Sequence, residues 1–162
     1  IFNIFNIFYL FYYYSMNLFL IALCVCMFIF IFVCVCLLYT KKKITVYATI
    51  AKTNKEMKKG LMFIKYKLPT NHGMLFMMPS RNNHLFWMKN TFIPLDIIFI
   101  DKTSIKNNFT IVGVHKNRQP HDKTLKGIDK KSDSVLEMNG GWFDSNDMRI
   151  GDIIDMRYKM VL

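Results

Sequence analysis

The first 40 residues contain no charged side chain, no glycine and no proline, and every lysine, arginine, aspartate and glutamate lies from Lys41 onward. All four cysteines lie between residues 24 and 36, so the rest of the chain has none. The later part therefore has no thiol for catalysis, no disulfide and no cysteine-based zinc site. These absences divide the chain into an apolar N-terminal part and a charged part that is long enough for one domain with a single core.

The apolar part predicts a transmembrane helix at residues 18–39. About 20 apolar residues cross a bilayer as a helix, since each adds about 1.5 Å toward a hydrocarbon core about 30 Å thick. A cleavable signal sequence is the alternative, but no basic region precedes the apolar run, the run is too long and no A-x-A site follows it. Residues 1–17 are interpreted as an apolar extension that could be a fragment or a mis-assigned start, because the first methionine is Met16.

The formal net charge of +11 comes entirely from the part after residue 40. The basic segment 41–67 contains nine lysines and one acid, Glu56. Next to a membrane span, such a segment is expected to contact anionic lipid headgroups. The three lysines at 41–43 place the domain in the cytosol by the positive-inside rule. Nucleic acid is not expected as a partner, because no recognisable nucleic-acid-binding motif accompanies the charge.

Residues 40–162 predict a single mainly β domain, a compact and mostly antiparallel β-sandwich or barrel with one short helix. The helix is expected after Thr53, because Thr53 and Glu56 form a capping-box pattern and Gly60 ends the helical run. Short apolar runs rich in β-branched or aromatic residues predict the strands. These runs are found at about 44–51, 74–78, 85–91, 95–100, 109–115, from 134 and after 152, and a long loop is expected at 117–133.

Polar residues interrupt the apolar stretch LFWMKNTFIPLDIIFID at residues 85–101. Asp96 is flanked by residues that favour burial, and a buried carboxylate needs a partner because an unpaired charge is costly to desolvate. Lys89 and Glu137 are partners of suitable length. We therefore expect a ligand-binding polar cluster at the mouth of the domain, formed by Lys89, Asn90, Thr91, Asp96 and Glu137. The alternative is that these residues satisfy backbone groups and fix the strand register.

Several motifs together carry a family resemblance. They are GLM at 60–62, GMLF at 73–76, FWMKNT at 86–91, PLDIIFID at 94–101, VLEMNG at 135–140 and GD at 151–152. From Ile44 to Leu162 the chain resembles the domain of unknown function 192 family. The resemblance implies a small β-rich sandwich or barrel, often preceded by an export or anchor segment, with no established activity. Many members resemble exported proteins, which implies the opposite side of the membrane from that given by the lysines.

The chain departs from the family pattern within the predicted helix. Where the family usually carries E-R-x-x-G-L-M, this chain has Glu56 followed by Met57, Lys58 and Lys59. If the family arginine pairs with an acid, Lys58 or Lys59 would have to replace it, and neither offers the planar, bidentate fork of a guanidinium.

Two functions are compatible with these residues. The first is a non-enzymatic binding or accessory module, held at the membrane by a single span and presenting a polar pocket to a small ligand or a protein. The alternative is a membrane-tethered, hydrolase-like enzyme that uses Asp96 and Glu137 as a carboxylate pair. The first is preferred because no nucleophile motif or phosphate-binding loop is present. No catalytic residue is assigned, and the spacing of the four histidines predicts no metal site. No cofactor is expected.

Overall fold

The computed structural model describes residues 4–38 and 40–159, and the chain divides after Thr40 into two units. The first unit contains helix α1 (Ile4–Leu38). Within α1, Asn6–Leu37 is long and apolar enough to cross a membrane, a property of length and composition that a signal sequence near the N-terminus shares. The helix begins at Ile4, so residues 4–17 are helical and continuous with residues 18–38. Residues 1–3 and 39 lie outside the described residues.

The second unit is a closed barrel with strand order β1-β2-β5-β3-β4-β6. Its elements are β1 (Lys43–Ala51), α2 (Asn54–Lys59), β2 (His72–Asn82), β3 (Leu95–Lys102), β4 (Asn108–Arg118), β5 (Ser132–Asn139), α3 (Trp142–Ser145) and β6 (Ile153–Lys159). Strand β1 runs parallel to both of its neighbours, and the other four strand pairs are antiparallel. The prediction of a mainly β barrel with a short helix is confirmed.

Helix α2 forms where the capping-box pattern predicted it. The Thr53 hydroxyl accepts a hydrogen bond from the Glu56 N–H at 3.2 Å, and the Glu56 carboxylate accepts from the Thr53 N–H at 2.8 Å. Hydrogen bonds from the Thr53 and Lys52 N–H groups lower the pKa of Glu56. Gly60 ends the helix with a φ of +47°, a conformation that costs glycine little because it has no Cβ.

The expected strand at residues 85–91 is wrong. In the described chain this segment makes a single bridge, between Phe86 and Lys126, and then turns. The Thr91 N–H donates to the Met88 carbonyl, and Asn90 lies between them with a φ of +56°. Asparagine tolerates this left-handed conformation better than most residues, so the polar residues that interrupt the apolar pattern make a turn.

Two apolar layers share the barrel wall. The inner layer takes side chains from all six strands, including Val46, Leu75 and Ile98, and it also contains Trp142 and Phe143 of α3. The outer layer covers β2, β3 and β5 with residues from outside the sheet, among them Leu61, Met88 and Ile93. Because successive strand residues point to opposite sides, each of these strands contributes to both layers. The sequence did not predict α3, which is four residues long.

Asp96 lies on the inner side of β3 and is fully buried. One carboxylate oxygen accepts hydrogen bonds from the N–H groups of Asn117 at 2.7 Å and Gly141 at 3.0 Å. The other oxygen accepts from the Phe143 N–H at 2.7 Å. The carboxylate therefore joins β3, β4 and the start of α3. The expected pairing of Asp96 with Lys89 or Glu137 is wrong, because three backbone donors already satisfy its charge.

We predict that Asp96→Asn destabilises the barrel by about 2–3 kcal/mol, since one charged acceptor is lost and an amide N–H₂ group faces a backbone donor. The measurement is thermal and urea unfolding of the full chain in detergent. Asp129→Asn is the matched control, because Asp129 is exposed. Equal stability of the two variants would show that the three hydrogen bonds do not support the fold.

Candidate functional site

A cavity of about 610 Å³, here called the main pocket, opens on the outer side of the barrel between α2 and the turn at residues 85–91. Its apolar lining consists of Met57, Leu61, Met62, Phe76, Met78, Leu85, Phe86 and Trp87. The rest of the lining consists of Asn54, Lys58, Lys59, Gly60, Lys89, Asn90, Thr91 and Glu137. An apolar cavity with a few polar groups is typical of small-molecule sites, and its volume lies within their usual range of about 300–1,000 Å³.

Glu137 is the buried acid of the main pocket. It lies on β5 opposite Met74 of β2 and Ile97 of β3, both of which pack in the outer layer. The residue is 5% exposed, and its Oε2 atom has no hydrogen-bond partner. Burial raises the pKa of Glu137 to about 8, although the Leu61 N–H, which faces the carboxyl group, opposes the rise. At neutral pH the side chain is therefore mainly a neutral carboxylic acid with one O–H donor.

No cation neutralises Glu137 within the described residues. Lys58, Lys59 and Lys89 also line the main pocket, but all three side chains are exposed and none forms an ion pair with it. The Lys89 ammonium instead lies 5.1 Å from the centre of the Trp87 ring. Met57, which stands where the resembling family usually has arginine, lines the same pocket. At this position the chain therefore supplies no guanidinium that could pair with the acid.

The structure brings together four of the five predicted site residues. Lys89, Asn90, Thr91 and Glu137 line the main pocket, whereas Asp96 does not. The Asn90 carbonyl accepts a hydrogen bond from the Phe63 N–H at 2.9 Å and thereby ties the turn to the segment after α2. Thr91 is buried. Whether these four residues bind a ligand remains a prediction.

The two carboxylates of the expected pair lie on opposite sides of the sheet. On β3, Asp96 is opposite Met138, an inner-layer residue, whereas Ile97 is opposite Glu137 in the outer layer. Cross-strand partners share a face, so Asp96 points into the barrel and Glu137 points out of it. The two acids therefore do not share a cavity, and the geometry does not support carboxylate-pair hydrolysis.

Gly60 is a pocket residue for which sequence reasoning found only the role of ending a helix. A Cβ atom at this position would lie 3.5 Å from Glu137 Oε2 and 3.2 Å from Phe76 Cζ. Glycine thus leaves open the space beside the free carboxyl oxygen. The motif GLM was a signal that this position mattered, but the contact with Glu137 depends on how α2 packs on the barrel, which the motif does not contain.

A second cavity of about 480 Å³, here called the side pocket, lies on the other side of residues 59–62. It shares the segment from Lys59 to Met62 with the main pocket and is also lined by Phe63 and Ile64. Asn139 holds the following segment in place, because its side-chain amide exchanges two hydrogen bonds with the Leu68 backbone, at 2.8 and 2.9 Å. The segment Lys59–Met62 therefore lines both cavities.

The donor set of the main pocket does not suit a metal ion. Glu137 is its one carboxylate, and among residues 4–38 and 40–159 no group of three or more His, Cys, Asp or Glu lies close enough to hold a metal. A neutral carboxyl group in an apolar cavity is better suited to hydrogen bonding with an uncharged ligand group, because neither partner then carries a charge that must be desolvated.

We predict that Glu137→Gln stabilises the protein at pH 8 but not at pH 4. Unfolding returns the carboxyl pKa from about 8 to about 4.5, so the folded state holds a proton that the unfolded state has already lost between these pH values. The unfolding free energy of the parent chain therefore falls by about 1.4 kcal/mol per pH unit as pH rises from about 4.5 to 8, and it levels off above pH 8.

The measurement is the difference in unfolding free energy between the parent chain and Glu137→Gln from pH 4 to pH 9. Taking the difference cancels the other titrating groups. A difference that stays constant with pH would contradict the raised pKa.

We predict that Met57→Arg lowers the Glu137 pKa, because a guanidinium in the main pocket supplies the missing charge partner. The dependence of stability on pH between 4.5 and 8 should then decrease or reverse. Met57→Gln, which is polar but uncharged, is the matched control and should keep the parent pH dependence. If both variants behave alike, position 57 does not face the acid closely enough to pair with it.

Comparison with known proteins gives one family. The family model DUF192, described as "Uncharacterized ACR", matches residues 37–156. Comparison with curated protein sequences gives no match.

Two crystal structures have a similar fold. One is of a protein of unknown function from Novosphingobium aromaticivorans, with 33% identity, a TM-score of 0.57, and coverage of 65% of this chain and 72% of the other. The second, described as a "putative transcription regulator", is from Sinorhizobium meliloti, with 28% identity, a TM-score of 0.56, and coverage of 67% of this chain and 78% of the other. Neither description names a ligand.

Proposed function

This chain belongs to the DUF192 family, and within that uncharacterised family we propose that it is a non-enzymatic binding module that takes a small, largely apolar ligand into the main pocket. The observation that supports the proposal is the Oε2 atom of Glu137, a buried polar atom without a hydrogen-bond partner, on a residue that lines the main pocket. Native proteins leave few buried polar groups unpaired, because each costs about 1–3 kcal/mol. A ligand that bonds to Oε2 would remove that cost.

The chemistry of the main pocket defines the ligand. Because the Leu61 N–H faces the carboxyl group, the proton is best placed on the free oxygen, where it can be donated. The complementary ligand group is an uncharged acceptor such as a carbonyl or an ether oxygen. Apolar side chains line most of the remaining wall, among them Phe76, Met78 and Phe86. The ligand therefore carries an acceptor at its buried end and an apolar body.

The pocket favours binding over catalysis. Thr91 supplies the one hydroxyl of its lining, and that hydroxyl donates to the Lys89 carbonyl, at 3.5 Å, rather than to a base. A hydroxyl without an adjacent base is a weak nucleophile.

The description of the Sinorhizobium structure suggests regulation of transcription for that protein. Helices α2 and α3 of this barrel have six and four residues, which is too short for a helix that fills a DNA major groove.

We also propose that the module is a single-pass membrane protein, which helix α1 supports. The helix carries no charged residue, and the basic segment 41–67 begins soon after it. We propose that lipid is therefore a partner of this chain. The lysines at 41–43 favour a cytosolic barrel, and the family resemblance favours an exported one. Protease protection of the barrel in sealed vesicles distinguishes the two.

We predict that a ligand with a carbonyl acceptor and an apolar body raises the melting temperature of the full chain in detergent, by about 2.7 kcal/mol of stabilisation at 100 times its Kd. The screen uses compounds that share the apolar body and differ only in the acceptor group. Glu137→Met should melt higher than the parent chain without ligand and should lose the ligand-induced shift. Ligand binding should also weaken above pH 8, as the carboxyl group ionises.

Asp129→Asn should keep the full shift, since Asp129 lies outside the lining of the main pocket. A ligand that stabilises Glu137→Met as much as the parent chain would show that the buried acid is not the recognition group.

A further inference from the structure

Exposed apolar side chains surround the openings of the two pockets. Phe63 is 60% exposed, Leu85 59% and Trp87 40%. Leu85 and Trp87 line the main pocket and Phe63 lines the side pocket. The Phe63 N–H donates to the Asn90 carbonyl, so the two segments are neighbours in space. Single exposed apolar residues are common, but a cluster of large ones beside a pocket marks an interaction surface.

Lysines lie among these apolar side chains. Lys58, Lys59 and Lys89 line the main pocket and are exposed. The acids nearby offset only part of this charge. Glu137 is buried and mainly neutral at pH 7, because burial raises its pKa to about 8, and the exposed Glu56 carboxylate carries one negative charge against three lysines. Asp122, whose carbonyl accepts from the Met88 N–H, pairs its carboxylate with Arg118 at 2.9 Å. The surface therefore presents positive charge beside aromatic rings.

We propose that this surface, here called the mouth, docks onto an anionic lipid bilayer. The mouth consists of Lys58, Lys59, Phe63, Leu85, Trp87 and Lys89. Aromatic rings are enriched at the headgroup level of membranes, and lysine ammonium groups attract anionic headgroups while their stems lie along apolar surface. This combination fits a lipid surface better than an apolar protein partner, which would leave three ammonium groups uncompensated.

Docking in this orientation turns the main pocket toward the bilayer. A ligand with an apolar body would then enter from the lipid phase, where such molecules concentrate. The docking proposal itself rests on charge complementarity and on exposed aromatic rings, not on the identity of the ligand. A failure of the ligand screen would therefore leave the docking proposal intact, and a failure of docking would leave the proposed ligand binding intact.

The test is tryptophan quenching in vesicles that contain brominated lipids. The full chain is reconstituted into vesicles of zwitterionic lipid alone, or with about one-third anionic lipid. Helix α1 contains no tryptophan, so it contributes no fluorescence signal in either preparation. The second tryptophan, Trp142, is buried in the barrel. We expect quenching in anionic vesicles to be at least twofold greater than in zwitterionic vesicles, and Trp87→Phe should abolish the difference.

A triple variant, Lys58→Gln, Lys59→Gln and Lys89→Gln, should reduce quenching in anionic vesicles to the zwitterionic level. The matched control is Lys102→Gln, Lys106→Gln and Lys130→Gln, which removes the same charge from exposed residues that line neither pocket. Melting temperatures confirm that both triple variants fold. Equal quenching in the two lipid compositions, or equal loss in the two triple variants, would overturn the proposal.

Discussion

The alternation of side chains along β3 and β5 decides the environment of the two central acids. Asp96 points into the closed barrel, where three backbone N–H groups satisfy its carboxylate. Glu137 points outward beneath α2, where Oε2 finds no partner. A shift of one residue in the pairing would exchange the two faces. One acid thus supports the fold, while the other carries an uncompensated desolvation cost at a pocket.

Local patterns predicted the elements that depend on neighbouring residues. The Thr53–Glu56 capping box and the β-branched run of β1 formed as expected, because their hydrogen bonds and side-chain preferences are short-range. The strand prediction for residues 85–91 was wrong, because their apolar side chains reflect packing over the barrel rather than strand pairing. The sequence pattern alone does not distinguish a buried strand from a buried loop. Helix α3 was missed because four residues carry little periodic signal.

The candidate site was predicted in composition but not in geometry. The resemblance and the polar interruption led to Lys89, Asn90, Thr91 and Glu137, which the structure brings around one cavity. Asp96 is buried, and its carboxylate does have the partners that a buried charge needs. Its partners proved to be backbone amides, which no sequence pattern identifies. Glu137 and Met57 line the same pocket, and this proximity is a product of tertiary packing that the sequence does not contain.

In our proposal, Glu137 keeps its proton near neutral pH and offers it to a ligand. The most direct measurement is a carbon-detected NMR or infrared titration of the Glu137 carboxyl group in the full chain, with Glu137→Gln used to assign the signal. We expect a protonated carboxyl at pH 6 and a titration midpoint near pH 8. A midpoint near the ordinary glutamate value of about 4.5 would contradict this proposal, because the acid would then already be solvated or paired.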